Sequence, residues 1–247
     1  MRLRFGIWVI VLGTVLSACQ APKKFPSQVK RKKARKAVVT PNLPNYDRRL
    51  LHFGVNMGII HTGLAVRPRS DLRELLPDTL YSVTSRWEPG FSMGIESALR
   101  LGEHWRLKFT PTLSLAGRIM EFERPGGVID RFTWESTLAE FPVYFKFRSV
   151  RLNNVSGYLI GGVKYVFDLS SKVGADDASM FPVKLRPHDL QAEIGVGFDF
   201  YLPYFKFAMQ LKSSFGMLNL HYPEANLYNR SIQGLQTRAV YISFIFE

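Results

Sequence analysis

Residues 141–148 read FPVYFKFR. Phe141, Val143, Phe145 and Phe147 take alternate places, and Pro142, Tyr144, Lys146 and Arg148 fill the others. Successive side chains of a strand point to opposite faces, so this stretch is a strand with one apolar and one polar surface. The pattern recurs along the chain in eight stretches, joined alternately by long and short connections. It predicts an all-β fold, an eight-stranded antiparallel transmembrane β-barrel of outer-membrane type.

The other seven stretches repeat the division of faces. Phe53, Val55, Met57 and Ile59 oppose Gly54, Asn56 and Gly58 in the first, near residues 51–66. The second, near 90–101, sets Phe91, Met93, Ile95 and Leu99 against Ser92, Gly94, Glu96 and Arg100. In the third, near 105–118, Trp105, Leu107, Phe109, Leu113 and Leu115 oppose Arg106, Lys108, Thr110, Thr112 and Ser114. The fifth places Leu159, Val163, Tyr165, Phe167 and Leu169 opposite Tyr158, Gly162, Lys164 and Asp168. The sixth alternates Leu190, Ala192, Ile194, Val196, Phe198 and Phe200 with Gln191, Glu193, Gly195, Gly197 and Asp199. Phe205, Phe207, Met209, Leu211 and Phe215 form one face of the seventh, with Lys206, Ala208, Gln210, Lys212 and Ser214 on the other. Val240, Ile242, Phe244 and Phe246 oppose Ala239, Tyr241 and Ser243 in the last.

The connections fit an up-and-down barrel. Short ones are expected at Gly102-Glu103-His104, around Asn153-Asn154 and at Pro203, and long ones at 67–89, 119–132, 170–188 and 219–236. Outer-membrane barrels have short periplasmic turns and long outer loops, which puts both termini in the periplasm. A soluble lipocalin-like barrel also alternates, with its apolar face inward. Against it stand the nearly charge-free face of all eight stretches and the glycines gathered on the polar face. The export signal and the aromatic last strand point the same way.

That signal opens the chain. Arg2 and Arg4 precede an apolar run of 12 residues, Phe5 to Leu16. The run is too short to cross a bilayer as a helix, which takes about 20 residues. Leu16-Ser17-Ala18-Cys19 follows and has the order of a bacterial lipobox, which makes Cys19 the expected lipidation site. Cys19 is the single cysteine, so a disulfide framework is excluded. The expected division is a signal peptide over 1–18, a basic linker over 19–45 and the barrel over 46–247.

Lys23, Lys24, Lys30, Arg31, Lys32, Lys33, Arg35 and Lys36 crowd the linker. With Arg2 and Arg4 they account for ten of the formal net charge of +13, so only +3 remains for the rest. The high pI belongs to the tail. In an exported protein nucleic acid is out of reach, and the tail reads as a solvated linker or a contact for anionic head groups.

The polar faces place Glu96, Arg100, Arg106, Lys108, Glu140, Lys146, Arg148, Lys164, Asp168, Glu193, Asp199, Lys206 and Lys212 in the lumen. An eight-stranded interior is just wide enough for side chains to fill, so these charges are expected to pair and close it. A conducting pore or proton path is the alternative. Signs of catalysis are missing: His52, His61, His104, His188 and His221 lack metal-ligand spacing, and there is no nucleophile elbow or phosphate loop. Asp176-Asp177 lie in an expected loop, where carboxylates are ordinarily solvated. No catalytic residue, metal or cofactor is expected, although an outer-membrane lipid-modifying enzyme could gather its groups from distant strands.

The segment VKLRPHDLQAEIGVGFDFYLPYFKFAMQLKSSFGMLNL, residues 183–220, resembles the PorT family of outer-membrane barrels from Bacteroidota, components of the type IX secretion system. Residues 193–207, EIGVGFDFYLPYFKF, carry the resemblance most specifically. LRLGEHWRLKFTPTL (99–113), Phe141 to Phe147, NNVSGYLIGGVKY (153–165) and the Phe-Glu terminus are also similar. The resemblance spans 46–247 and leaves out the lipobox and basic tail. It implies a non-enzymatic part in exporting proteins with C-terminal sorting domains, with outer-membrane lipid and other type IX secretion proteins as partners. A structural or adhesive barrel acting through its outer loops is the competing reading.

Overall fold

A computed structural model describes residues 42–68, 82–124, 126–170, 185–222 and 231–247. The export signal, Cys19, the basic tail and Asp176-Asp177 lie outside them.

The strands are β1 (Leu51–Pro68), β2 (Ser82–Arg86), β3 (Glu88–Arg100), β4 (Trp105–Phe109), β5 (Thr112–Glu123), β6 (Ile129–Arg148), β7 (Val155–Asp168), β8 (His188–Tyr201), β9 (Lys206–Gly216) and β10 (Ile232–Phe246). All ten belong to one antiparallel sheet. β1 pairs with β10 on one side, from Val55↔Phe246 onward, and with β3 on the other, from Leu51↔Leu99 to Thr62↔Glu88. The sheet therefore closes on itself.

Two pairs of segments each make one stave, so the ten strands form the expected eight-stave barrel. β2 runs into β3 with only Trp87 between them, and β4 into β5 across Thr110-Pro111. Pro111 cannot donate to a ladder. Its carbonyl still accepts from the amide of Ile95 at 3.1 Å, and the Thr110 amide donates to Pro142 O at 3.3 Å. The stave bends there without parting from its neighbours.

The three expected short connections are present. They close through Leu101 N–H to Trp105 O (3.0 Å), Leu152 N–H to Val155 O (2.9 Å) and Leu202 N–H to Phe205 O (3.0 Å). Two expected long connections are corrected. The stretch 119–132 is mostly strand, because β5 and β6 pair from Glu123↔Ile129 down to Thr112↔Glu140. Their turn is short, with Gly126 and Gly127 at φ of +84° and +78°, values that glycine alone adopts without strain. Likewise β2 and the start of β3 occupy residues assigned to the 67–89 connection, with Val83↔Phe122 in the ladder.

The expected faces are observed. Phe53, Ile59, Met93, Ile95, Leu115, Phe145, Leu159, Ile194, Phe198, Leu211 and Ile242 are exposed on the outer wall. Lys108, Glu140, Lys146, Lys164, Glu193, Asp199 and Lys206 are buried in the lumen. From Leu51 to His61, ten strand steps at a ~40° tilt rise about 25 Å, the height of an outer-membrane apolar band. Among the described residues no helix is long and apolar enough to span a membrane, so crossing falls to the strands.

Candidate functional site: a paired lumen on a sealed floor

The lumen divides by side-chain length. β1, β3 and β5 turn inward mainly small groups (Gly54, Asn56, Gly58, Gly90, Ser92, Gly94, Ser114), while β6 to β10 contribute long ones. Glycine makes room at the closest approach. A Cβ on Gly197 would sit 2.4 Å from Cζ of Tyr158, so the tyrosine can cross the lumen only over a glycine.

The middle of the lumen is a chain of ion pairs and tyrosine hydroxyls. Lys164 Nζ lies 2.8 Å from Glu193 and 3.3 Å from Glu140. It also donates to the Tyr241 hydroxyl at 2.6 Å, and that hydroxyl donates to Glu140 at 2.8 Å. The Tyr144 hydroxyl donates to Glu193 and accepts from Lys212 Nζ at 3.0 Å. Nearer the short turns, Lys146 contacts Asp199 at 2.8 Å and lies 3.6 Å over the Tyr158 ring. Lys108 meets Glu96 at 2.7 Å, and Lys206 lies between Asp199 (3.9 Å) and Glu247 (2.5 Å). These charges have lost their water, and such burial is tolerable only with paired partners and satisfied hydrogen bonds.

A floor seals the end with the short turns. It is made by residues that precede β1. The 3-10 turn Tyr46–Arg48 sets Asp47 against Arg106 (2.8 Å) and Arg148, with the Tyr201 hydroxyl donating at 3.1 Å. Burial alone would raise the Asp47 carboxyl, but Arg148 and Arg106 outweigh it and hold it below its ordinary 3.8. Tyr46 donates to the Glu247 carboxylate, and Asn42 Nδ2 donates to Tyr201 O at 3.0 Å. His52 holds the turn through Nε2 and Tyr46 O, 2.8 Å apart.

The lumen residues named from sequence assemble as a set. Glu96, Lys108, Glu140, Lys146, Lys164, Glu193, Asp199, Lys206 and Lys212 form the central network, and Arg106 and Arg148 join the floor. Asp168 lies farther along, 3.9 Å from Arg118. Arg100 is only half-buried at the rim, where its guanidinium donates to Gly102 O at 3.2 Å. Sequence reasoning passed over Asp47, Arg118, Gln210 and Glu247, and the hydroxyls that join the pairs. Tyr144, Tyr158 and Tyr241 already stood on the polar face, and that placement was the available signal.

The histidines are dispersed. His104 meets Arg148 O, His188 meets the Tyr165 hydroxyl at 2.6 Å, and His61 lies beside Trp87 on the outer wall. Among the described residues no three His, Cys, Asp or Glu side chains gather as a metal site. A carboxylate that is ion-paired to lysine and hydrogen-bonded to tyrosine is a structural group, since its charge is already neutralised.

Farther from the floor the inward residues turn apolar. Leu64, Val83, Met120, Phe122, Leu185, Leu220, Ile232 and Leu235 form one buried cluster, with Val66, Phe132 and Trp134 packed against it. The interior thus has an ionic storey over a sealed floor and an apolar storey beyond.

Among curated proteins none matches the sequence significantly. Distant likeness to solved structures includes the outer membrane protein OprG from Pseudomonas aeruginosa, at 9% identity and TM-score 0.44, covering 80% of this chain and 93% of that one. It also includes Neisserial surface protein A, at 9% identity and TM-score 0.40, covering 80% and 98%. A family model described as an outer membrane protein beta-barrel domain matches residues 27–222. The chain belongs to this family of outer-membrane β-barrel proteins.

Proposed function

We propose that this barrel is a non-enzymatic accessory of the type IX secretion system, assisting export of proteins that bear C-terminal sorting domains. One observation carries the mechanistic part. The lumen charges meet as lysine–carboxylate pairs whose side chains are 0–3% exposed, such as Lys164 with Glu140 and Glu193. A lumen filled this way favours work through the barrel's surfaces and partners over passage through its interior. The resemblance of residues 183–220 to the PorT family supplies the secretion system.

In this reading both termini are periplasmic, because the three short turns and the floor share one end. Residues 1–18 are removed on export, 19–45 link the barrel to its anchor, and Cys19 carries the acyl chains. Cys19→Ala is expected to abolish labelling with palmitate, and retained label would place the lipid elsewhere.

The deciding experiment is secretion of a cargo with a C-terminal sorting domain in a clean deletion strain. Periplasmic accumulation of cargo, reversed by restoring the gene, is expected. Unchanged export would return the function to the outer loops or to lipid chemistry.

A further inference from the structure

A groove lies on the outer wall where β1, the β2–β3 stave and β10 meet. Ile59, His61, Trp87, Val240 and Ile242 line about 410 Å³ of it. Its origin is local. Trp87 occupies the break between β2 and β3, and its indole folds over Gly63, with ring atoms 3.2–3.3 Å from where a Cβ would stand. The same ring lies 5.9 Å from the His61 imidazole, centroid to centroid.

One edge of the groove is cationic. Arg238 is the register partner of Gly63 and follows Val240 by one outward step along β10. It is exposed, its guanidinium lies 5.3 Å over the Phe215 ring, and among the described residues it pairs with no carboxylate. Ile59 and Ile242 stand at acyl-chain depth, and His61 and Arg238 at the polar limit of the apolar band. Outer-wall grooves at that depth are covered by lipid, and an unpaired guanidinium at the headgroup level selects a phosphate, whose oxygens its fork matches in pairs. Tryptophan is the side chain suited to that boundary.

We propose that this groove binds a phosphorylated glycolipid of the outer leaflet, one acyl chain lying along Ile59, Trp87 and Ile242 and a phosphate on Arg238. The leaflet rests on the periplasmic placement of the termini; the groove and its cation do not.

The test uses the full chain purified in detergent and native mass spectrometry with three probes: bisphosphorylated lipid A, its dephosphorylated form and phosphatidylglycerol. The bisphosphorylated form should bind about tenfold more tightly than either of the others, the scale of one charged hydrogen-bonding contact. Arg238→Ser should remove that preference, Arg238→Lys should restore part of it, and Trp87→Ala should weaken both glycolipids alike. Heat-dependent gel mobility confirms folding, and the exposed Arg238 variants decide the matter if Trp87→Ala does not fold. Equal preference in wild type and Arg238→Ser, or phosphatidylglycerol bound as tightly as lipid A, would overturn the proposal. Labelling of Val128→Cys on intact cells reads orientation separately. Labelling only after disruption would remove the outer-leaflet assignment, and with it this proposal's choice of lipid, while leaving the secretion test untouched.

Discussion

Between the floor and the level of His61, the barrel keeps charges inside and apolar side chains outside; beyond that level the same strands do the reverse. β5 shows the change within one strand. Leu113 and Leu115 point outward, and then Met120 and Phe122 point inward while Glu121 and Glu123 alternate with them. β6 repeats it, with Phe132 and Trp134 inward and Phe141, Val143 and Phe145 outward. The backbone does not change along these strands. What changes is the medium outside, and apolar groups take the side away from water. The barrel is membrane-type for part of its height and soluble-type for the rest.

The difference can be broken most sharply in the ionic storey. Glu193→Ala strands Lys164, Lys212 and the Tyr144 hydroxyl, and should cost about 3–5 kcal/mol, read as a lowered urea midpoint in detergent or vesicles. In the apolar storey, Leu235→Ala should cost about 2–5 kcal/mol, with little dependence on salt, because only packing is lost. On the outer wall, Phe145→Arg should cost about 2–4 kcal/mol in a bilayer, against less than about 0.5 kcal/mol for Thr133→Arg farther along the same strand. Equal costs for those two arginines would mean that the band has been misplaced.

The floor gives smaller effects. Asp47→Asn keeps the shape and removes the charge facing Arg106 and Arg148, for a loss of about 1.5–3 kcal/mol. The sign of the pH effect follows from the lowered Asp47 carboxyl. Its stabilisation is fully present above the unfolded value near 4, declines as pH falls below that, and is gone once pH passes beneath the folded value. Wild type and Asp47→Asn should therefore converge in acid, as measured by unfolding midpoints between pH 7 and pH 2.

These contrasts also mark what the sequence discloses. The lipid-level strands were legible because lipid demands an unbroken apolar face: Phe141 to Phe147 and Ile194 to Phe198 show it without interruption. The lumen was legible as a set of charges but not as pairs, since Lys164 and Glu140 are separated by 24 positions and Lys206 and Glu247 by 41. The outer storey was misread as loops at 119–132 and 82–89. There Met120-Glu121-Phe122-Glu123 still alternates, but in the opposite phase, and a reading keyed to one greasy face passes over it. Asp47 was hidden for another reason, because it acts from a 3-10 turn that has no repeating pattern.

The contact between Tyr46 and Glu247 has a kinetic consequence. These residues lie on either side of the β1–β10 seam, and Lys206 next to Glu247 belongs to a third stave, β9. An open sheet can pair every other strand yet cannot bring these three groups together. Completion of the floor therefore reports that the seam has joined, and an unclosed intermediate is left with Glu247 and Asp47 in water and its lumen unsealed. The last hydrogen bonds to form also mark the barrel as finished, which makes ring closure an all-or-none event rather than a gradual zipping.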